Sequence, residues 1–181
     1  MTTVQFANPS LIMGLILWFV AYIFIINGLN LTGRISGKEC GVWNFMIGGF
    51  MFICLVIAMV FQLFGAATWI TVGGCLLFCF TYLGLGFMNL MNLDGKGLGW
   101  YCLLVALITP FISQMNFAMG GWSGVMWGVI WLIWGAAWFV FFLILGLGKT
   151  KLAGPTFGWI VVAIGVFTLW IQAYSMLRGW M

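Results

Sequence analysis

Residues 123–147 read SGVMWGVIWLIWGAAWFVFFLILGL, twenty-five positions without one charged side chain. At about 1.5 Å per residue such a run makes a helix of about 38 Å, enough to cross a hydrocarbon layer about 30 Å thick. The rest of the chain has the same character. Of its 181 residues 65% are hydrophobic and 4% charged, and the mean hydropathy is +1.23. A soluble domain carries about 25% charged residues, so the solvent here is lipid. Backbone groups in lipid are satisfied only within helices or closed barrels. The runs are continuous rather than the alternating segments of about ten residues that a barrel strand needs, which leaves helices.

Five further runs, at about 10–31, 42–64, 67–91, 98–117 and 157–178, complete six expected spans. The expectation is an all-α membrane protein with one integral-membrane domain over residues 1–181. The start, MTTVQFANPS, lacks a basic segment of the kind that begins a cleaved signal peptide. Asn8, Pro9 and Ser10 read as the start of the first helix. Arg34 and Lys38 follow the first span, Lys96 the third, and Lys149 and Lys151 the fifth, whereas the other side has only Arg178. Positively charged loops stay in the cytoplasm, so both termini are expected outside, in the plasma (inner) membrane. Topology accounts for the net charge of +4, and nucleic acid is not an implied partner.

The three connections on the basic side, NGLNLTGRISGKECGVWNF, MNLMNLDGKGLGWYC and LGLGKTKLAGPTFGW, share glycines, a cation and an aromatic residue that opens the next span. Two readings stand: a parallel repeat of three hairpins, or the ordinary needs of short loops.

Reactive groups are scarce. There is no histidine, and the only acids are Glu39 and Asp94, both outside the apolar runs. Cys40, Cys54, Cys75, Cys79 and Cys102 contain no CxxC and read as small buried hydrophobes. No metal or cofactor is expected, and no nucleophile has a base beside it, so the chain does not read as an enzyme. Proton-coupled carriers use intramembrane carboxylates or histidines. Passive movement of something neutral, or a structural role, fits this inventory.

At 100° per residue Trp127, Trp131, Trp134 and Trp138 fall at about 0°, 40°, −20° and 20°, a single indole stripe. Gly124, Gly128 and Gly135 fall at about 60°, 100° and 80° on the same helix, a seam where a neighbouring helix can approach. An interior wall, a lipid face and a subunit interface all remain open for the stripe. In the first span Leu17, Val20, Phe24 and Asn27 lie within an arc of about 80° and offer a facing wall. Uncharged polar groups such as Asn27, Thr81, Thr109, Ser113 and Thr168 suit either helix contacts or a solute losing its water.

Three stretches carry a family likeness: INGLNLTGRISGKECGVWNFMIGGF with Asn27-Gly28 and Asn44-Phe45, LLFCFTYLGLGFMNLMNLDGKGLGWYCLLVAL with FTYL at 80–83, and WGVIWLIWGAAW at 127–138. Together they resemble the AmiS/UreI family of urea and short-chain amide channels. The resemblance implies a six-helix bundle with a central pore, assembled as a homo-hexamer. It also implies a lining of Leu17, Val20, Phe24, Phe80, Trp127, Trp131, Trp134 and Trp138. Three departures stand out. Gly84 lies where close urea channels carry a second aromatic, four residues after the first, which implies a wider constriction. Ile164 aligns with a common glutamate, and Gln172 with a common proline. The acid-gated members carry histidines that this chain lacks.

The resulting expectation is a passive, non-acid-gated channel for small neutral amides, short-chain aliphatic amides ahead of urea. The alternatives are a structural or auxiliary membrane subunit and a proton-coupled amide transporter.

Overall fold

A computed structural model describes residues 9–180. It has six long helices: α1 Pro9–Leu31, α2 Gly37–Val60, α3 Thr68–Met91, α4 Lys96–Met119, α5 Gly121–Gly146 and α6 Pro155–Leu177. Each is long and apolar enough to cross a membrane, and no strand occurs among the described residues. Pro9 opens α1, where its missing N–H costs nothing. Asn8 lies outside the described residues.

The first difference from the expected spans is at α2, which begins at Gly37 rather than near residue 42. A capping box is the cause. The Glu39 amide donates to Ser36 Oγ at 3.2 Å, and the Ser36 amide donates to Glu39 Oε2 at 3.0 Å. This satisfies two end donors reciprocally, so Lys38 and Glu39 are helical despite their charge. α2 also ends earlier, at Val60. Residues 61–67 then form the turn, with Gln62 at φ 47° and Leu63 buried beneath it.

The closest pairs are α2 with α3, α4 with α5, and α1 with α6. The hairpins that share the glycine–lysine loops are packed less closely than these pairs. The repeat legible in the loops therefore alternates with the packing units. In each pair one odd-numbered helix faces the interior, so α1, α3 and α5, which run in the same direction, supply most of its wall.

Glycines set the pair distances. The seam expected on α5 faces α4: a Cβ on Gly124 would meet the Asn116 carbonyl at 2.6 Å, one on Gly128 would meet the Phe117 ring, and one on Gly135 the Thr109 hydroxyl. Ser113 Oγ donates to the Gly128 carbonyl at 2.7 Å across the same contact. Near the basic end, Gly28 of α1 and Gly158 of α6 put their backbones against each other. The cysteines are all free, and Cys40, Cys79 and Cys102 are buried, as small hydrophobes would be.

Two stretches depart from α-helical geometry. Residues 142–146 of α5 and 165–170 of α6 wind as π-helix. Such widened turns often sit at functional sites. The one in α6 contains Thr168, which is buried against α5.

Candidate functional site

Two spaces lie toward opposite ends of the bundle and share Trp134 in their walls. A wide chamber of about 420 Å³ opens at the end where α1 begins and α6 finishes, and includes Leu17, Val20, Phe78, Trp127, Trp131 and Trp134 in its wall. A narrow cavity of about 40 Å³ lies toward the basic end, walled by Phe24, Asn27, Thr81, Tyr82, Trp134 and Trp138 among others. A single water needs at least about 10–15 Å³ measured this way, so the cavity suits a molecule of only a few heavy atoms.

A cluster of rings separates the two spaces. Phe78 lies 4.8 Å from Trp134, 4.4 Å from Trp138 and 5.8 Å from Trp131, measured between centroids. Phe24 approaches Phe78 and Tyr82 from α1 at 6.3 and 6.4 Å. The angles are tilted or edge-to-face, the arrangements favoured by ring quadrupoles and worth about 0.5–1.5 kcal/mol per pair beyond burial.

Threonines fix the two deepest indoles. Trp134 Nε1 donates to Thr168 Oγ1 at 2.8 Å, and that hydroxyl donates on to the Ile164 carbonyl at 2.7 Å. Trp138 Nε1 donates to Thr81 Oγ1 at 3.1 Å, and that hydroxyl donates on to the Leu77 carbonyl at 2.7 Å. Each hydroxyl thus satisfies an indole N–H and a free carbonyl lone pair at once, holding one ring orientation. Asn27 is held likewise: its Oδ1 accepts from Asn44 Nδ2 at 2.6 Å and from Cys40 Sγ at 3.1 Å. Its amide joins α1 to α2 and also faces the narrow cavity.

Tyr82 is different. It is 2% exposed and part of the cavity wall, and its hydroxyl has no hydrogen-bond partner. A buried hydroxyl without a partner costs about 1–3 kcal/mol, and such a group needs an explanation. The ring lines the cavity while the hydroxyl is closed off from it, so a polar solute would supply the partner only once the ring turns.

The structure brings together Leu17, Val20, Phe24, Asn27, Trp127, Trp131, Trp134 and Trp138, in the order their helices run. It does not bring Phe80 and Gly84 to them. Phe80 is 46% exposed, 6.4 Å from Phe52, and shares an outward groove with Gly84 between α3 and α4. Two residues along a helix is a turn of about 200°, so Phe78 faces inward and Phe80 outward. Tyr82, four residues after Phe78, is the second aromatic whose absence Gly84 suggested. The constriction is therefore not widened there. Ile164 contributes its carbonyl through Thr168 rather than a lining side chain, and Gln172 lies outside both spaces, its Nε2 3.5 Å from the Phe167 carbonyl. The spacing Phe78–Tyr82 was the signal that could have corrected the register. Both faces of α3 are apolar, so periodicity did not choose between them.

Comparison with known proteins fits this arrangement. Residues 12–180 match the profile of a family described as AmiS/UreI family transporter. A protein of Mycolicibacterium smegmatis, described provisionally as an amidate substrates transporter, is 37% identical over 92% of this chain and 76% of its own. The acid-activated urea channel of Helicobacter pylori is 28% identical over 91% of this chain and 96% of its own. The cryoEM structure of the Helicobacter pylori urea channel in its closed state superposes with a TM-score of 0.81 at 26% identity. It covers 93% of this chain and 99% of the other.

Proposed function

The chain belongs to the AmiS/UreI family of membrane transporters, and we propose that it is a passive channel for small neutral amides, urea among them. It is a multi-pass inner-membrane protein, and its relatives are channels or transporters rather than enzymes. The reading rests chiefly on one observation: a cavity sized for a few heavy atoms, walled by rings and without a charged side chain, one of whose rings, Tyr82, carries a buried hydroxyl without a partner.

A neutral amide would enter the wide chamber and lose water against indole faces. In the neck it would exchange the lost hydrogen bonds for contacts with Tyr82. An amide wholly without compensation loses about 2–7 kcal/mol on leaving water, so one hydroxyl offsets a useful part. Ions are excluded because no charge lines either space to balance their far larger desolvation cost. The two chambers, separated by rings, favour conduction over a purely structural role. The absence of any acid in either wall disfavours proton coupling.

Swelling of proteoliposomes in isotonic urea, acetamide and propionamide tests the proposal. Permeation no faster than through empty liposomes would remove it. In the same assay Tyr82→Phe, which keeps the ring, is expected to slow urea by about two- to tenfold, as a lost neutral hydrogen bond of about 0.5–1.5 kcal/mol implies. An unchanged rate would show that the hydroxyl does not meet the solute.

The channel is also proposed to be independent of acid. Histidine is the side chain whose ordinary titration falls between pH 5 and 8, and the sequence contains none. Urea permeation should be flat from pH 5 to 7.5, and a step within that range would contradict this. The assembly is taken as a homo-hexamer of protomers, each with its own path. The termini are placed on the outer face because five of the six cations lie at the other end. Cross-linking and protease access from each side check the two statements.

A further inference from the structure

The wide chamber has an unusual wall for a solute path. Around it α1 contributes Met13, α2 Met51, α4 Met115 and Met119, and α6 Met176, while α3 contributes Cys75. Methionine commonly fills irregular gaps in packed cores, but these side chains surround an open space of about 420 Å³. Thiols and thioethers are the protein groups that select soft monovalent metals.

Two of the sulfurs already have a coordinating separation. Cys75 Sγ lies 4.0 Å from Met13 Sδ. With metal–sulfur bonds of about 2.3 Å, that separation corresponds to an angle of about 120° at the metal, the angle of a trigonal site. Met51 of α2, which lines the same chamber, is the candidate third ligand. α2 and α3 run antiparallel, with Cys79 Sγ donating to the Gly48 carbonyl at 3.3 Å. One turn farther on, Met51 and Cys75 come level, and both face the chamber.

Charge narrows the metal. No carboxylate or histidine lines the chamber. A monovalent ion displacing the Cys75 proton leaves a neutral complex: Cys75–SH and M⁺ give Cys75–S–M and H⁺, with the thioethers adding no charge. A divalent ion on the same ligands would leave a net positive charge in an apolar space, which is costly. We propose that Cys75 and Met13, completed by Met51, form a site for a soft monovalent cation of the Cu(I) class. An ion held there blocks the path beside Leu17 and Trp131, so the site makes conduction sensitive to thiophilic metals. The blocking half rests on the channel reading, and the binding half does not.

Silver(I), which stays monovalent in air, is the probe. Calorimetric titration of the detergent-solubilised full chain with silver nitrate should give one more equivalent per protomer in the wild type than in Cys75→Ser. Met13→Leu should weaken that equivalent by roughly tenfold or more, the scale of losses around metal sites. Equal stoichiometry in the wild type and Cys75→Ser, or a Met13→Leu variant that binds as tightly as the wild type, would overturn the site. In proteoliposomes the rate with silver divided by the rate without it, taken within each variant, should fall in the wild type and recover in Cys75→Ser. Equal falls would overturn the blocking role. Permeation absent before silver is added would overturn the conduction reading, and the titration would still decide the metal site.

Discussion

Phe78→Ala is expected to raise the permeation of propionamide relative to urea by roughly tenfold, the order of discrimination that one methylene receives in a tight apolar site. Phe78 is the ring common to the cluster between the two spaces, within 6.3 Å of Phe24, Tyr82, Trp131, Trp134 and Trp138. Truncating it joins the wide chamber to the narrow cavity and leaves the indoles, held by Thr81 and Thr168, in place. The same truncation removes a buried aromatic side chain, at a cost of about 3–5 kcal/mol in stability. Phe78→Leu is the milder companion and should move the ratio in the same direction. Gly84→Tyr is the control. Gly84 faces the outward groove beside Leu98, so a ring added there should leave the ratio unchanged. Stopped-flow swelling of proteoliposomes reads all three. A ratio that responds to Gly84→Tyr and not to Phe78→Ala would place the constriction on the other face of α3.

Gly28→Ala is expected to destabilise the protomer by forcing α1 and α6 apart. A Cβ on Gly28 would lie 2.5 Å from the Gly158 carbonyl oxygen and 2.9 Å from the Val162 amide nitrogen. Reciprocally, one on Gly158 would lie 2.7 Å from the Gly28 carbonyl oxygen. These are backbone atoms, which cannot turn aside as a side chain can, so α1 and α6 must separate. Overpacking of this kind costs about 1–3 kcal/mol and sometimes more. On a chain of this size that shifts the thermal midpoint by roughly 2–12 °C. The separation also pulls Phe24 away from the neck, because Gly165 of α6 packs against its Cβ. Gly49→Ala, with open space around the added methyl, is the comparison and should be near neutral. Thermal unfolding followed by size-exclusion in detergent measures both, and equal midpoints would show that the helices separate at little cost.

Much of this architecture was legible before any coordinates. Continuous apolar runs forced six helices, and the glycines of α5 identified the face that meets α4. Indole positions 127, 131, 134 and 138 formed one stripe at helical spacing, and α1 offered a facing wall at 17, 20, 24 and 27. Both ended up around the same interior. The boundary of α2 was missed because hydropathy penalises Lys38 and Glu39, while the capping box rewards them with hydrogen bonds. The inward residues of α3 were missed for a different reason. In lipid both faces of a helix are apolar, so periodicity carries no inward signal, and a register two residues off replaced Phe78 by Phe80.

The sequence by itself determined the solvent, the helical class, the number of spans and the absence of histidine and carboxylate from the apolar runs, since each follows from local composition and backbone hydrogen bonding. Only the tertiary structure decided which helices pair, which aromatic of FCFTY enters the neck, and that one hydroxyl, on Tyr82, stays without a partner. Those outcomes depend on where backbones can approach and which side chains meet across three helices. No single segment of the chain encodes that.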